Sequence, residues 1–180
     1  MSDERLLAAF QSADVEVRLS AVEQAAQAPT RYAKDVVDLI PRYPDEAYFI
    51  LERIGRFGES AIPHLEALEN STEDADIRLV AVLCLAHFRR RVANTVLLDA
   101  IRCRSKYQFL ACRALAWLGD SAVLPILLEE LRVTSAAIDE DMATSLESAI
   151  SDLGGTIPPS ERERLAAERL FFMRREVDGL

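Results

Sequence analysis

Residues 107–120 read Y-Q-F-L-A-C-R-A-L-A-W-L-G-D. The apolar residues Tyr107, Ala111, Ala114, Leu115 and Leu118 recur at the three- and four-residue steps that line one face of an α-helix, and Gly119-Asp120 ends the pattern. The same fourteen-position pattern returns along the chain. Counting its first position as one, copies begin at Val17, Glu46, Ile77, Tyr107 and Met142, at steps of 29, 31, 30 and 35 residues. A helix-sized motif that returns about every thirty residues, with room for a second helix in each period, is the mark of stacked helical hairpins. The spacing therefore predicts an all-α fold, an α-solenoid of about five hairpins with terminal capping helices.

The register rests on positions that must be buried. Positions 5, 9 and 12 read Ala21/Ala25/Ala28, Ile50/Ile54/Phe57, Ala81/Leu85/Phe88, Ala111/Leu115/Leu118 and Leu146/Ile150/Leu153, all apolar in a chain only 50% hydrophobic. Gly58, Gly119 and Gly154 fall at position 13, where a helix end favours a left-handed residue. Asp14, Asp74 and Asp139 stand three residues before position one, as helix N-caps. The stretches V-R-L-S-A-V (17–22), I-R-L-V-A-V (77–82) and A-L-A-W-L-G-D (114–120) resemble the HEAT-repeat family, including its bacterial HEAT-like branch, and the resemblance spans residues 6–153. It implies a fold and little about activity, because one fold serves many functions.

On this register the chain is expected to form a single domain, 1–180, with an N-terminal cap at 1–13 and repeats near 14–41, 45–70, 74–102, 105–132 and 139–176. Residues 6–12 read as the helix of the cap. In the first repeat, helix A is expected at 17–28 and helix B around 33–40, with Pro29 ending the first and Pro41 and Pro44 delimiting the second. In the second, Gly58 closes helix A, Ser60 reads as the N-cap of helix B, and Pro63 fits its first turn. The next hairpins are expected at 77–88 with 94–101 and at 107–118 with 122–131. A longer connection, 133–141, precedes the fifth helix A at 142–153, and insertions of this kind often form binding edges. Ser160 and Glu163 read as a capping box for a last helix, 161–176, whose Leu165, Leu170, Phe172 and Met173 are expected to close the end of the stack.

The net charge of −9 argues against general affinity for nucleic acid or anionic lipid, both of which need lysine and arginine against phosphate. Three cysteines lack metal-ligand spacing, and Cys84, at core position 8, reads as a small buried apolar residue. A reduced, cytoplasmic protein with free thiols is expected. The opening M-S-D-E-R lacks the regions of a signal peptide, and no apolar run approaches the roughly 18 residues of a membrane span.

Two charge series stand out. In proteins resembling HEAT solenoids, helix B lines the concave surface; the resemblance thus implies a partner-binding ladder of Asp35, Asp38, Glu66, Glu69, Asp99, Glu129 and Glu130. The first two pairs have the i,i+3 spacing that shares a helix face. The plain alternative is a solvated polar face. Residues 86–114 carry Arg89, Arg90, Arg91, Arg102, Arg104, Lys106 and Arg113 against Asp99, a balance of +6 that leaves −15 for the rest. Helix 94–101 separates Arg89–Arg91 from Arg102, Arg104 and Lys106 by about 15 Å. They read as secondary basic edges rather than one phosphate groove, and arginine after a helix also suits the macrodipole.

No catalytic signature appears. A deoxyhypusine hydroxylase would share this architecture but needs His-Glu pairs for iron, whereas His64 precedes Leu65 and His87 precedes Phe88. His64 with Glu66 and Glu69 is ordinary helix composition, so no metal is expected. Trp117 reads as packing between repeats before it reads as a ligand platform. There is no Gly-x-Ser-x-Gly elbow and no phosphate-binding glycine loop. The expected function is non-enzymatic: a module without cofactor that binds another protein bearing a basic patch, in its sharper form an inhibitor or immunity protein for a basic toxin or enzyme. Alternatives drawn from the same family are a nucleic-acid-binding, DNA-glycosylase-like protein and a pigment-attachment lyase-like factor.

Overall fold

The computed structural model describes residues 3–177, with side chains described for 3–171. Every regular element among the described residues is helical. The packing divides into two compact units, Met1–Val92 and Ala93–Leu180. The first holds α1 (Asp3–Ala9), α2 (Val15–Ala25), α3 (Pro29–Val37), α4 (Leu39–Arg42), α5 (Ala47–Ile54), α6 (Ile62–Ser71) and α7 (Ala75–His87). The second holds α8 (Asn94–Arg102), α9 (Gln108–Leu118), α10 (Leu124–Val133), α11 (Glu140–Asp152) and α12 (Pro159–Val177).

Within the first unit, α2 packs on α3 and also on α5, α3 packs on α6, and α5 and α6 both pack on α7. Helices α2, α3 and α5 thus each meet a neighbour in the chain and a helix of the next period, the pattern of stacked hairpins. Within the second unit, α9 packs on α8 and α11, and α10 packs on α11. The fold is all-α and built from helical repeats. Every residue at positions 5 and 9 is buried, while at position 12 only Phe57 is buried and the other four are half-buried. Each fully buried leucine or isoleucine contributes about 1.5–3 kcal/mol.

The punctuation follows local chemistry. Asp14 accepts from the Glu16 N–H, Asp74 from those of Asp76 and Ile77, and Asp139 from that of Met142, so all three aspartates cap their helices. Gly58, Gly119 and Gly154 lie at φ 54°, 70° and 77°. Position 13 of the third repeat is Arg89, which takes φ 53°, and Arg104, at the end of α8, takes φ 54°. All three helix ends at Arg89, Arg104 and Gly154 close alike: Arg90 N–H bonds Leu85 O at 3.0 Å, Ser105 N–H bonds Ala100 O at 2.9 Å, and Gly155 N–H bonds Ile150 O at 2.8 Å. These are Schellman closures, two of them with arginine where glycine is the usual residue.

Several boundaries differ from expectation. Pro29 opens α3 at its first turn, where its missing N–H costs nothing, so helix B begins four residues early. Pro41 does not end helix B at Ile40: it lies inside the single turn α4. Ser60 is not a cap: it falls in the 3-10 segment Gly55–Ala61, and α6 starts at Ile62 with Pro63 in its first turn. Asp120 accepts from the Ala122 N–H to start a 3-10 turn, Ser121–Val123, so α10 begins at Leu124. The last helix starts at Pro159, which puts Ser160 inside the first turn rather than at the cap. Leu165 is buried, but Leu170 is 55% exposed and closes nothing. Phe172 and Met173 lie outside the described side chains.

Polar links repeat with the same period. Arg18 Nε donates to Glu46 at 2.9 Å, Arg53 Nε to Glu23 at 2.8 Å, Arg102 Nε to Glu130 at 3.3 Å, and Arg169 Nε to Glu140 at 2.8 Å, over separations of 28, 30, 28 and 29 residues. The first three join side chains from successive repeats, and the last joins α11 to α12 within the final one.

Candidate functional site

Six of the seven acidic residues sit on the helices expected to carry them, and Asp38 stands at the junction of α3 and α4; they fall in two groups. In the first unit, Asp35 and Asp38 are half-buried, and Lys34 Nζ lies 2.6 Å from Asp38. On α6, Glu66 and Glu69 are also half-buried. Arg90 Nη2 reaches Glu66 at 3.3 Å. Burial pushes the Glu69 carboxyl above its ordinary range, the Glu66 charge adds to this, and Arg78 opposes it. The i,i+3 spacing thus places two carboxylates in mutual repulsion on one helix.

In the second unit, Asp99 on α8 and Glu129 on α10 are exposed and Glu130 is half-buried. Arg102 joins Glu130 at 3.3 Å to Asp99 at 3.9 Å, and Arg132 pairs with Glu129 at 3.1 Å. The residues read as opposing surfaces are therefore partly each other's counter-ions: Arg90 serves Glu66, and Arg102 serves Asp99 and Glu130. Of the other basic residues, Arg89 and Arg91 are exposed. Arg104 Nη2 donates to Thr134 Oγ1 at 3.1 Å and stands 3.8 Å from Asp139, and Lys106 Nζ lies 5.1 Å from the centre of the Tyr107 ring. Surface pairs of this kind are screened by salt and weak individually.

The remaining chemical candidates are dispersed. His64 is half-buried; His87 is exposed, edge-on to Phe88 at 5.5 Å. Among the described residues no group of three histidine, cysteine or acidic side chains is arranged to hold a metal ion. Trp117 is half-buried, with the Arg113 guanidinium 4.9 Å from its ring centre. All three cysteines are free thiols; Cys84 and Cys112 are buried and Cys103 is exposed. Burial pushes the Cys84 thiol far up and the Cys112 thiol up to about 12, so neither supplies a thiolate at neutral pH. No described helix is long and apolar enough to cross a membrane.

Two arrangements escaped the reading of the sequence. The first is a recurrent helix entry. Ser12 Oγ accepts from the Asp14 N–H at 3.1 Å and Arg18 reaches back to the Ser12 carbonyl; Thr72 Oγ1 accepts from the Asp74 N–H at 3.2 Å and Arg78 reaches back to the Thr72 carbonyl. The signal was present as S/T-x-D-x-x-x-R, repeated sixty residues apart. It makes Arg18, 5% exposed and stacked 4.0 Å over the Tyr43 ring, a structural residue. The second is a clamp on the connection between α10 and α11. Arg164 Nη1 donates to Thr134 O at 3.1 Å and to Glu168 at 2.7 Å, and the Ala136 N–H donates to Glu168 at 2.7 Å. Burial pushes the Glu168 carboxyl up, but bonds from Arg164, Ala136 and Ser135 outweigh it and hold it below its ordinary value. The clamp leaves no local signal in the sequence, because its partners lie some thirty residues apart. Comparison with protein-family models, with curated proteins and with solved structures finds no match to this chain.

Proposed function

We propose that this chain is a HEAT-like, non-catalytic binding module that recognises a protein with a basic surface patch through its helix B carboxylates. The observation that carries the reading is the Glu66–Glu69 pair on α6. Arg90 reaches Glu66, while burial and its neighbour disfavour the charge on Glu69. A like-charge pair kept at a cost to the folded state fits a surface whose counter-charge arrives with a partner. Asp99 and Glu129, exposed on α8 and α10, support the same reading in the second unit. In its sharper form the module is an inhibitor or immunity protein, since acidic complementarity speeds encounter with a basic toxin or enzyme.

The test begins with capture of the partner from host cells, its purification, and measurement of association rates over a range of salt. Reversing Glu66 and Glu69 to lysine should slow association and flatten its salt dependence, because exposed charges act over a Debye length of about 8–10 Å. Reversing Arg89, Arg90 and Arg91 to glutamate should matter less. The reading fails if the arginine change abolishes binding and the glutamate change leaves it intact. A captured nucleic acid would favour the glycosylase-like alternative.

A further inference from the structure

The connection at residues 134–139 is fixed from both sides. Thr134, which is buried, accepts from Arg104 at 3.1 Å and gives its own hydroxyl to Glu130 O at 2.8 Å. Arg164 and Glu168 bind its carbonyl and the Ala136 N–H from α12. The N–H groups of Ile138 and Asp139 close on Ser135 O at 3.1 and 2.9 Å, and Asp139 caps α11. A connection tied down in this way can turn its apolar side chains inward, and Ala136 does so. Ile138 does the opposite. It is 89% exposed, and Val133 at the other end is 66% exposed. The exposed isoleucine is followed at once by the carboxylates Asp139, Glu140 and Asp141. Arg104 stands near Asp139 and Arg169 takes Glu140, while Asp141 is exposed.

We propose that Ile138 is an anchor that seats in an apolar pocket of the protein partner, and that Asp141, the nearby carboxylate that neither Arg104 nor Arg169 meets, faces a basic rim around that pocket. The proposal rests on the reading of this chain as a binder of a basic protein and deepens it. The seat of affinity moves from the helix B rows, which set the rate of encounter, to a loop that sets the rate of release. Buried apolar anchors within a polar surround carry most of the energy of interfaces. A loop held by the protein's own hydrogen bonds loses little freedom when it docks, so the anchor's burial is not offset by ordering.

The experiment places the photo-cross-linker p-benzoylphenylalanine at position 137, beside the anchor, and separately at position 67, exposed on α6 next to Glu66, in the full chain expressed in host cells. Any protein adduct is identified, purified and titrated against wild type, Ile138→Asp and Asp141→Lys. We expect an adduct from position 137 with a protein that binds wild type. Its affinity should fall at least tenfold with Ile138→Asp and measurably with Asp141→Lys, at unchanged melting temperature. An adduct from position 67 with none from 137 overturns the anchor and leaves the binding reading standing, as does affinity within twofold of wild type for Ile138→Asp. An adduct formed only with a second copy of this chain, or a partner indifferent to Asp141→Lys, overturns the proposal. No adduct from either position overturns both readings.

Discussion

Leu115→Ala tests the register most directly. Leu115 is 1% exposed on α9, which packs on α8 and α11, so its loss opens a void walled by successive repeats. The change removes three carbons, worth about 2.4 kcal/mol at about 0.8 kcal/mol for each buried methylene. A cavity that the surrounding helices only partly close adds about 24 cal/mol for each Å³ left empty, which brings the expected cost to about 3–4 kcal/mol. Trp117, the chain's one tryptophan, lies two residues away, so its fluorescence in urea reports the second unit while circular dichroism at 222 nm reports the whole chain. Using both probes matters because two compact units need not unfold together. Leu118→Ala, at the half-buried position 12, should cost less than half as much. A loss below about 0.5 kcal/mol at Leu115, or an equal loss at Leu118, would refute the register, since buried leucine truncations cost about 2–5 kcal/mol.

Three further outcomes follow from the backbone and the charges. Arg89→Gly should stabilise by up to about 1 kcal/mol in urea melts, because a left-handed residue strains a side chain and not glycine; Arg104→Gly should gain nothing, since it also loses the bond to Thr134 and the ion pair with Asp139. Gly155→Ala should cost about 1–3 kcal/mol, an overpacking penalty, since an added Cβ would lie 2.6 Å from Leu124 Cδ2 and 3.0 Å from Ile150 O; a neutral result would mean that the start of α10 yields easily. Glu69→Gln should raise the thermal midpoint at pH 7: a carboxyl whose folded pKa is raised subtracts stability once ionised, so the advantage should shrink as pH falls through that pKa and vanish below the unfolded range, about 4.3. An advantage that persists at pH 3 would assign the effect to packing instead.

What the sequence disclosed was what a period can encode. Burial at positions 5 and 9, the three aspartate caps and the three positive-φ glycines are local or periodic properties, visible one helix at a time. The misplaced boundaries share a cause. Pro29, Pro41 and Ser60 were each read for a single propensity, while proline at a first turn opens a helix as readily as it ends one. Arg89 took the glycine position because a six-residue closure and its hydrogen bonds tolerate the strain, and no local pattern announces that. The two charge series are visible in the sequence but their pairing is not, because Arg102 finds Glu130 only through the fold. The exposure of Ile138 was hidden for the same reason: its loop is held by Arg104, Arg164 and Glu168, which lie on other elements.

The ion pairs that join some successive repeats bear on how this chain comes apart. In a linear array, each hairpin is held by its own helices and by its coupling to the neighbours, and the balance of the two decides whether units melt singly or in blocks. Here part of that coupling is electrostatic, through Arg18–Glu46 and Arg53–Glu23 in one unit and Arg102–Glu130 in the other. Apolar contact between hairpins is indifferent to moderate salt, whereas the partly exposed links Arg53–Glu23 and Arg102–Glu130 weaken with it and the buried Arg18–Glu46 does so least. Ionic strength thus acts on the chain's cooperativity more than on the stability of any one hairpin: dilute buffer lengthens the block that unfolds as one, and concentrated salt lets terminal hairpins fray ahead of the rest.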